Sequence, residues 1–280
     1  MLIMDILIVG GSGFLGRELT RQAVAAGHAV TATFASRAGG VRGAHWLPLD
    51  LRRDEEVTRV LRERRPEVVV NAAASRTDWA ITAEGAIRLA VAANQHGARL
   101  VHVSSDAVFS GADGRYDESA VPDPVTPYGA AKAGAETTIR LLAPAAVVAR
   151  TSLIIGEGDS EHEAFIHDLA AGRREGVLFT DDIRCPVHVA DLARALLELG
   201  ASDRSGIHHL AGTDALSRHE LGLLVAARDG LDPSALATGR RAETGTPGAL
   251  DVRLDSARTQ RILRTRLRGA REFLRAALGG

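Results

Sequence analysis

The sequence predicts an α/β fold, a doubly wound parallel sheet followed by a smaller C-terminal lobe. Three observations carry this. Short apolar runs recur through the first 150 residues and end at glycine or polar residues. Such runs read as strands buried on both faces. Segments of helical periodicity separate them, and that alternation requires crossover connections in a parallel sheet. The first run leads directly into glycines spaced by three, Gly10, Gly13 and Gly16.

Taken in order, residues 5–9 (DILIV) form the first strand and residues 14–26 the first helix, which Gly27 stops. Residues 28–34 (HAVTATF) are a second strand. Residues 45–49 (HWLPL) are a short or edge strand, because Pro48 cannot donate to a ladder. A charged helix spans 53–65 and closes at Pro66. A strand at 67–71, a helix at 82–96 and a strand at 99–103 follow. Residues 127–142 read as a helix with proline in its first turn. Residues 145–150 are the next strand. Beyond 151 the rhythm weakens, with helices expected at 191–199, 217–228 and 267–278 and a loop-rich stretch at 230–250. The expected division is a first lobe over 1–150, a return segment near 181–200 and a smaller lobe over 151–280.

Composition narrows the function. The 280 residues are 45% hydrophobic and carry a net charge of -1, which excludes disorder and gives no global attraction for nucleic acid or anionic membranes. The apolar runs are too short to span a bilayer. The opening MLIMDILIVGG lacks a basic region followed by a small-residue cleavage site, so it reads as a strand and not as a secretion signal. A cytoplasmic location is the resulting expectation. The one cysteine, Cys185, excludes an internal disulfide or a multi-cysteine metal site and reads as a buried apolar residue. The adjacent His208 and His209 point to opposite faces of a strand, and His162 and His167 are off register on a helix, so no metal site is expected. The basic stretch 258–275 reads as a solvated helix face.

The turn Gly10-Gly11-Ser12-Gly13-Phe14-Leu15-Gly16 joins a strand to a helix. Small residues let the backbone approach a pyrophosphate, and the helix offers it free N–H groups and a positive end. This predicts a Rossmann-type dinucleotide site. An acidic residue at the end of the second strand would hold a ribose 2′-hydroxyl. Residues 31–43 contain none, but they do contain Ser36, Arg37 and Arg42. A basic group without a carboxylate suits a 2′-phosphate, so NADP(H) is expected in preference to NAD(H).

Of the 34 Lys and Arg residues, a single one is Lys, at position 132. It lies four residues after Tyr128, on the same helical face. A nearby ammonium stabilises a phenolate, so Lys132 is expected to lower the tyrosine pKa and make Tyr128 a usable acid. A strand ending in Ser104-Ser105-Asp106 lies about 23 residues upstream and can place a hydroxyl at the same carbonyl oxygen.

Together these motifs resemble the extended short-chain dehydrogenase/reductases. They are most similar to the dTDP-4-dehydrorhamnose reductase-like, sugar-nucleotide-binding branch. The ordered run VHVSSDAVFSG, YDE, PVTPYGAAKAGAE, RTSLIIG and CPVHVADLA carries the likeness over almost the whole chain. The resemblance implies a reductase with Ser105, Tyr128 and Lys132 as catalytic residues. It implies a dinucleotide bordered by Asp50, Leu51, Ala72, Ala73 and Ala74, and a nucleotide sugar met by Ser104, Asp106 and Arg184. It also allows a homodimer paired through helices. Ala107 stands where the family usually has tyrosine, and the segment after Asn71 is shorter than usual. Both changes fall where a sugar would sit. Sugar-nucleotide epimerisation and a non-catalytic NADP-binding regulatory subunit are the alternative functions.

Overall fold

The computed structural model describes residues 3–276. Seven parallel strands build the central sheet: β1 (Asp5–Val9), β2 (Ala29–Phe34), β3 (His45–Pro48), β4 (Val68–Asn71), β5 (Arg99–Ser105), β6 (Val147–Thr151) and β7 (Gly206–Leu210). Their spatial order is β7-β6-β5-β4-β1-β2-β3. The order reverses between β1 and β4, so the loops after these strands open a crevice at their carboxyl ends.

Helices cover both faces. On one side lie α1 (Phe14–Ala25) and α6 (Val189–Gly200), and Leu15, Leu19, Leu192 and Leu196 pack there on Ile6, Ile8, Val70 and Val101. On the other lie α2 (Asp54–Arg64), α3 (Ala86–Gln95) and α4 (Pro127–Leu142). Their residues Val57, Leu61, Leu89, Ala135 and Ile139 pack on Leu7, Val69, Leu100 and Val148. The alternation of strand residues between these two cores explains the continuous apolar runs.

A further core joins α5 (Glu161–Ala170), α7 (Arg218–Asp229) and α9 (Ala270–Ala276) through Ile166, Leu169, Leu221, Val225 and Phe273. Both α5 and α7 open with a reciprocal cap, Ser160 with Glu163 and Ser217 with Glu220. Cys185 is buried, as expected, and burial pushes its thiol up to about 11.

Four details differ from the expectations. The chain re-enters the first lobe through α6, and β7 then extends the sheet beyond the return segment placed at 181–200. The helix expected at 82–96 starts as a π-helical segment, Ala80–Gly85, before α3. The last helix begins at Ala270 instead of 267, and its expected end, 277–278, lies outside the described residues. The basic stretch 258–275 is not one solvated face. It is broken between α8 (Ala257–Gln260) and α9, and Arg268 is turned inward onto buried Asp191 at 2.8 Å. No helix among the described residues is long and apolar enough to cross a membrane.

Candidate active site

In the turn between β1 and α1, Gly10 and Gly16 sit where a side chain would clash. Gly10 has φ +79, and a Cβ there would lie 2.8 Å from the Ala73 backbone. A Cβ on Gly16 would lie 2.1 Å from the Gly10 carbonyl oxygen. The Gly13 N–H donates to that oxygen at 3.0 Å, and the Gly10 N–H donates to Thr33 Oγ1 at 3.1 Å, tying the turn to β2. No side chain caps α1, and its first turn has no acidic residue. Its N–H groups and positive end are left for an anion. With small Ala72 and Ala74 opposite, the residues present fit a dinucleotide pyrophosphate.

The second half of the site comes from β5 and α4. Thr126 caps α4 by accepting from the Gly129 N–H at 3.1 Å, and Pro127 occupies its first turn. A Cβ on Gly129 would stand 2.0 Å from the Ala107 carbonyl oxygen. Glycine beside the tyrosine therefore lets α4 press against the turn that follows Ser105. Ser105 Oγ accepts from the Ala107 N–H at 3.1 Å and donates to Asp106 Oδ1 at 3.2 Å. Ser152 Oγ donates to Asp106 Oδ2 at 2.6 Å.

Lys132 is buried, and its Nζ donates to the Val103 carbonyl at 2.9 Å. Burial pulls its pKa down to about 8, against the opposing field of Glu136. The expected lowering of the Tyr128 pKa is not found in the protein alone. Burial and then the Asp106 carboxylate push it up, against Arg76 and a hydrogen bond with Ser105. The phenol is thus held protonated, which is the form an acid needs.

A cleft of about 1150 Å³ brings these parts together. Gly13, Phe14, Leu15, Ala72 and Ala74 line it with Ser105, Asp106, Tyr128 and Lys132. Gly10, Ser12, Gly16 and Ala73 do not line it; Gly10 packs on Ala73 and Gly16 on Gly10 within the turn. Arg37 lies exposed in the loop after β2. Asp50 is clamped by Arg52 at 2.8 Å, which holds its carboxyl near 2, and Leu51 is buried in the core beside Gly85.

Two residues assigned to the substrate are already engaged. Ser104 reaches the cleft wall, yet its hydroxyl donates inward to buried Glu136. Arg184 donates to the carbonyls of Ile183, Leu250 and Ala249 and pairs with Asp182 at 2.9 Å. Its fork is spent on the wall. Three further cations were not singled out. Arg218, Arg174 and Arg241 also line the cleft, the last two over the Phe165 and Phe179 rings at 4.7 and 5.9 Å, and Arg218 and Arg241 share Asp182 with Arg184 at 3.3 and 3.5 Å. Nothing in the local spacing distinguishes them from other arginines. Gly129 carried a readable signal, because glycine inside a helix demands a packing reason.

Comparison with known proteins agrees with this geometry. Residues 4–278 match the family model of the RmlD substrate binding domain. The dTDP-4-dehydrorhamnose reductase of Streptomyces griseus is 33% identical over 245 residues, covering 81% of this chain and 77% of that protein. The spore coat polysaccharide biosynthesis protein SpsK of Bacillus subtilis is 29% identical over 242 residues, covering 82% and 81%. The crystal structure of a dTDP-4-dehydrorhamnose reductase from Bacillus anthracis, in complex with NADP, shares the fold with a TM-score of 0.82 and 23% identity, covering 99% of each chain. The chain belongs to the RmlD substrate binding domain family, the dTDP-4-dehydrorhamnose reductase-like branch of the extended short-chain dehydrogenase/reductases that its motifs resemble.

Proposed function

We propose that this chain is an NADP(H)-dependent reductase of a keto group on a nucleotide-activated sugar, with 4-keto-6-deoxy sugars as the substrate class. One arrangement carries the reading. Ser105, Tyr128 and buried Lys132 line the same cleft as the uncapped start of α1. The relatives named as dTDP-4-dehydrorhamnose reductases support the substrate class.

When bound, the reduced nicotinamide supplies a hydride to the carbonyl carbon. The Tyr128 hydroxyl gives its proton to the carbonyl oxygen, so the ketone leaves as an alcohol. Ser105 Oγ donates to the same oxygen and orients it. The Lys132 ammonium, anchored on the Val103 carbonyl, keeps donors free for ribose hydroxyls and stabilises the phenolate left behind. Asp106, itself held by Ser152, fixes Ser105, and burial together with the Asp106 carboxylate keeps the tyrosine protonated between turnovers. Arg37 and Arg42, with no carboxylate between residues 31 and 43, favour a 2′-phosphate and hence NADPH over NADH. Arg218, Arg174 and Arg241 supply positive charge where a nucleoside diphosphate would lie.

The test is NADPH oxidation by purified protein on a panel of dTDP-activated 4-keto-6-deoxy sugars. Turnover that needs both partners and yields the alcohol supports the reading. Cofactor binding without oxidation on any member of the panel overturns the reductase assignment.

A further inference from the structure

The loop that carries Arg37 is not held by its own residues. It rests on the indole of Trp46. Trp46 lies on edge strand β3, paired with Ala32 of β2, and its Nε1 donates to the Val41 carbonyl at 3.2 Å. One edge of the ring covers Gly39, so closely that a Cβ there would lie 2.2 Å from Cη2. Another part of the ring reaches the phosphate-binding turn, where a Cβ on Gly11 would lie 3.3 Å from Cζ3. A single half-buried side chain thus touches both the turn that would face the pyrophosphate and the loop that would face the adenosine ribose.

We propose that Trp46 is a positioning residue for cofactor choice, and that it sets the Arg37 loop at the distance from the Gly10–Gly16 turn that a 2′-phosphate requires. This rests on the reading that a nicotinamide dinucleotide binds the cleft. Arg37 is exposed, and an untethered loop would have to order each time its guanidinium engaged a phosphate. The indole takes up that cost before binding, because preorganised contacts lose less entropy. Glycine at 39 is what leaves room for the ring against the loop. The Gly10 N–H to Thr33 bond holds the pyrophosphate turn as well, so losing the indole is expected to tell more at the 2′-phosphate end than at the pyrophosphate.

The experiment measures dissociation constants of NADPH and NADH by calorimetry on the full chain. Trp46→Leu should weaken NADPH about tenfold, the scale of one lost charge-assisted contact, and leave NADH within about twofold. Trp46→Phe should keep most of the preference. Gly39→Ala, on the loop and away from the core, should reproduce the NADPH loss by lifting the loop off the ring, which keeps the test alive if Trp46→Leu folds poorly. In an Arg37→Ala background neither change should weaken NADPH further. Equal losses for NADPH and NADH, or full additivity with Arg37→Ala, overturn the role of Trp46 while leaving the cofactor reading intact. Wild-type protein that binds neither dinucleotide overturns both.

Discussion

Glu136 and Arg150 face each other as a fully buried ion pair, 2.8 Å apart, one helical turn beyond Lys132. The guanidinium meets the carboxylate with Nε and Nη2, gives Nη1 to the Ala120 carbonyl and lies over the Phe109 ring at 4.9 Å. The carboxylate also takes the Ser104 hydroxyl. The pair therefore locks α4 to β6, and the Ser104 hydroxyl ties the same carboxylate to the end of β5, so the two elements that present Tyr128, Lys132 and Ser105 are held together through Glu136. Removing one partner strands a buried charge. Arg150→Met is expected to destabilise the protein by about 3–5 kcal/mol in urea unfolding. Glu136→Leu added to it should recover part of that loss, since neither charge is then left alone. Fully additive losses would show that the pair is not the unit described.

Lys132 makes a prediction of defined sign. Its folded pKa, about 8, lies below the ordinary lysine value of 10.5. Between these values the unfolded chain holds the extra proton, so stability rises with pH across the window. Below about pH 8 both states are protonated and the cost of burying the ammonium is present in full. The stability gap between Lys132→Met and wild type should shift in favour of wild type from pH 8 to 10. Turnover should move the opposite way and fall above pH 8, as the charged form is lost. Thermal unfolding and initial rates over the same buffers check both slopes.

Most of the sheet was legible because it is buried on both faces. The strands read at 5–9 and 99–103, the second of which runs on to Ser105, and helix 127–142 advertise themselves by apolar content, by periodicity and by Pro127 at a helix start. His208 and His209 were read onto a strand, but nothing in GIHHL marked it as the seventh strand of the sheet, since both histidines are buried without an apolar signature. The proposed catalytic trio could be read from local spacing, because i and i+4 on a helix are neighbours and a strand end must face the crevice. The inward turn of Ser104 and the spent fork of Arg184 could not. Both depend on partners 32 and about 65 residues away, and local spacing carries no record of them.

Tyr128 tests the proposed acid directly. Tyr128→Phe removes the proton donor and keeps the ring that packs in the cleft wall. Turnover should fall by roughly 10²–10⁴-fold, the usual range for losing a positioned acid. Unfolding midpoints should match wild type. Turnover within about threefold of wild type, a difference of roughly 0.7 kcal/mol, would exclude the acid role.

Ser105→Ala should cost less. The hydroxyl orients the carbonyl oxygen without transferring the final proton, so a loss of about 10–10²-fold in kcat is expected, with little change in NADPH affinity. The Ala107 N–H also loses its acceptor, so a small drop in stability should accompany it. Steady-state kinetics paired with calorimetric cofactor binding separates the two effects. A rise in the NADPH dissociation constant matching the fall in kcat would move Ser105 from the substrate side to the cofactor side.

Gly129 gives the sharpest geometric prediction. A methyl group there would sit 2.0 Å from the Ala107 carbonyl oxygen, closer than any van der Waals contact permits. The helix must back away from the turn after Ser105. Tyr128, next to Gly129, moves with it, while Lys132 stays anchored one turn deeper by Val103. Gly129→Ala should therefore separate phenol from serine more than it separates phenol from ammonium. A displacement near 1 Å is enough to cost about 10²-fold in turnover. Helix propensity alone favours alanine over glycine by roughly 1 kcal/mol, so a purely local view predicts a more stable and equally active enzyme. Lower turnover with little change in NADPH affinity is the outcome that the close approach of α4 to Ala107 demands. Unchanged turnover would mean that the helix and the turn are free to part without disturbing the site.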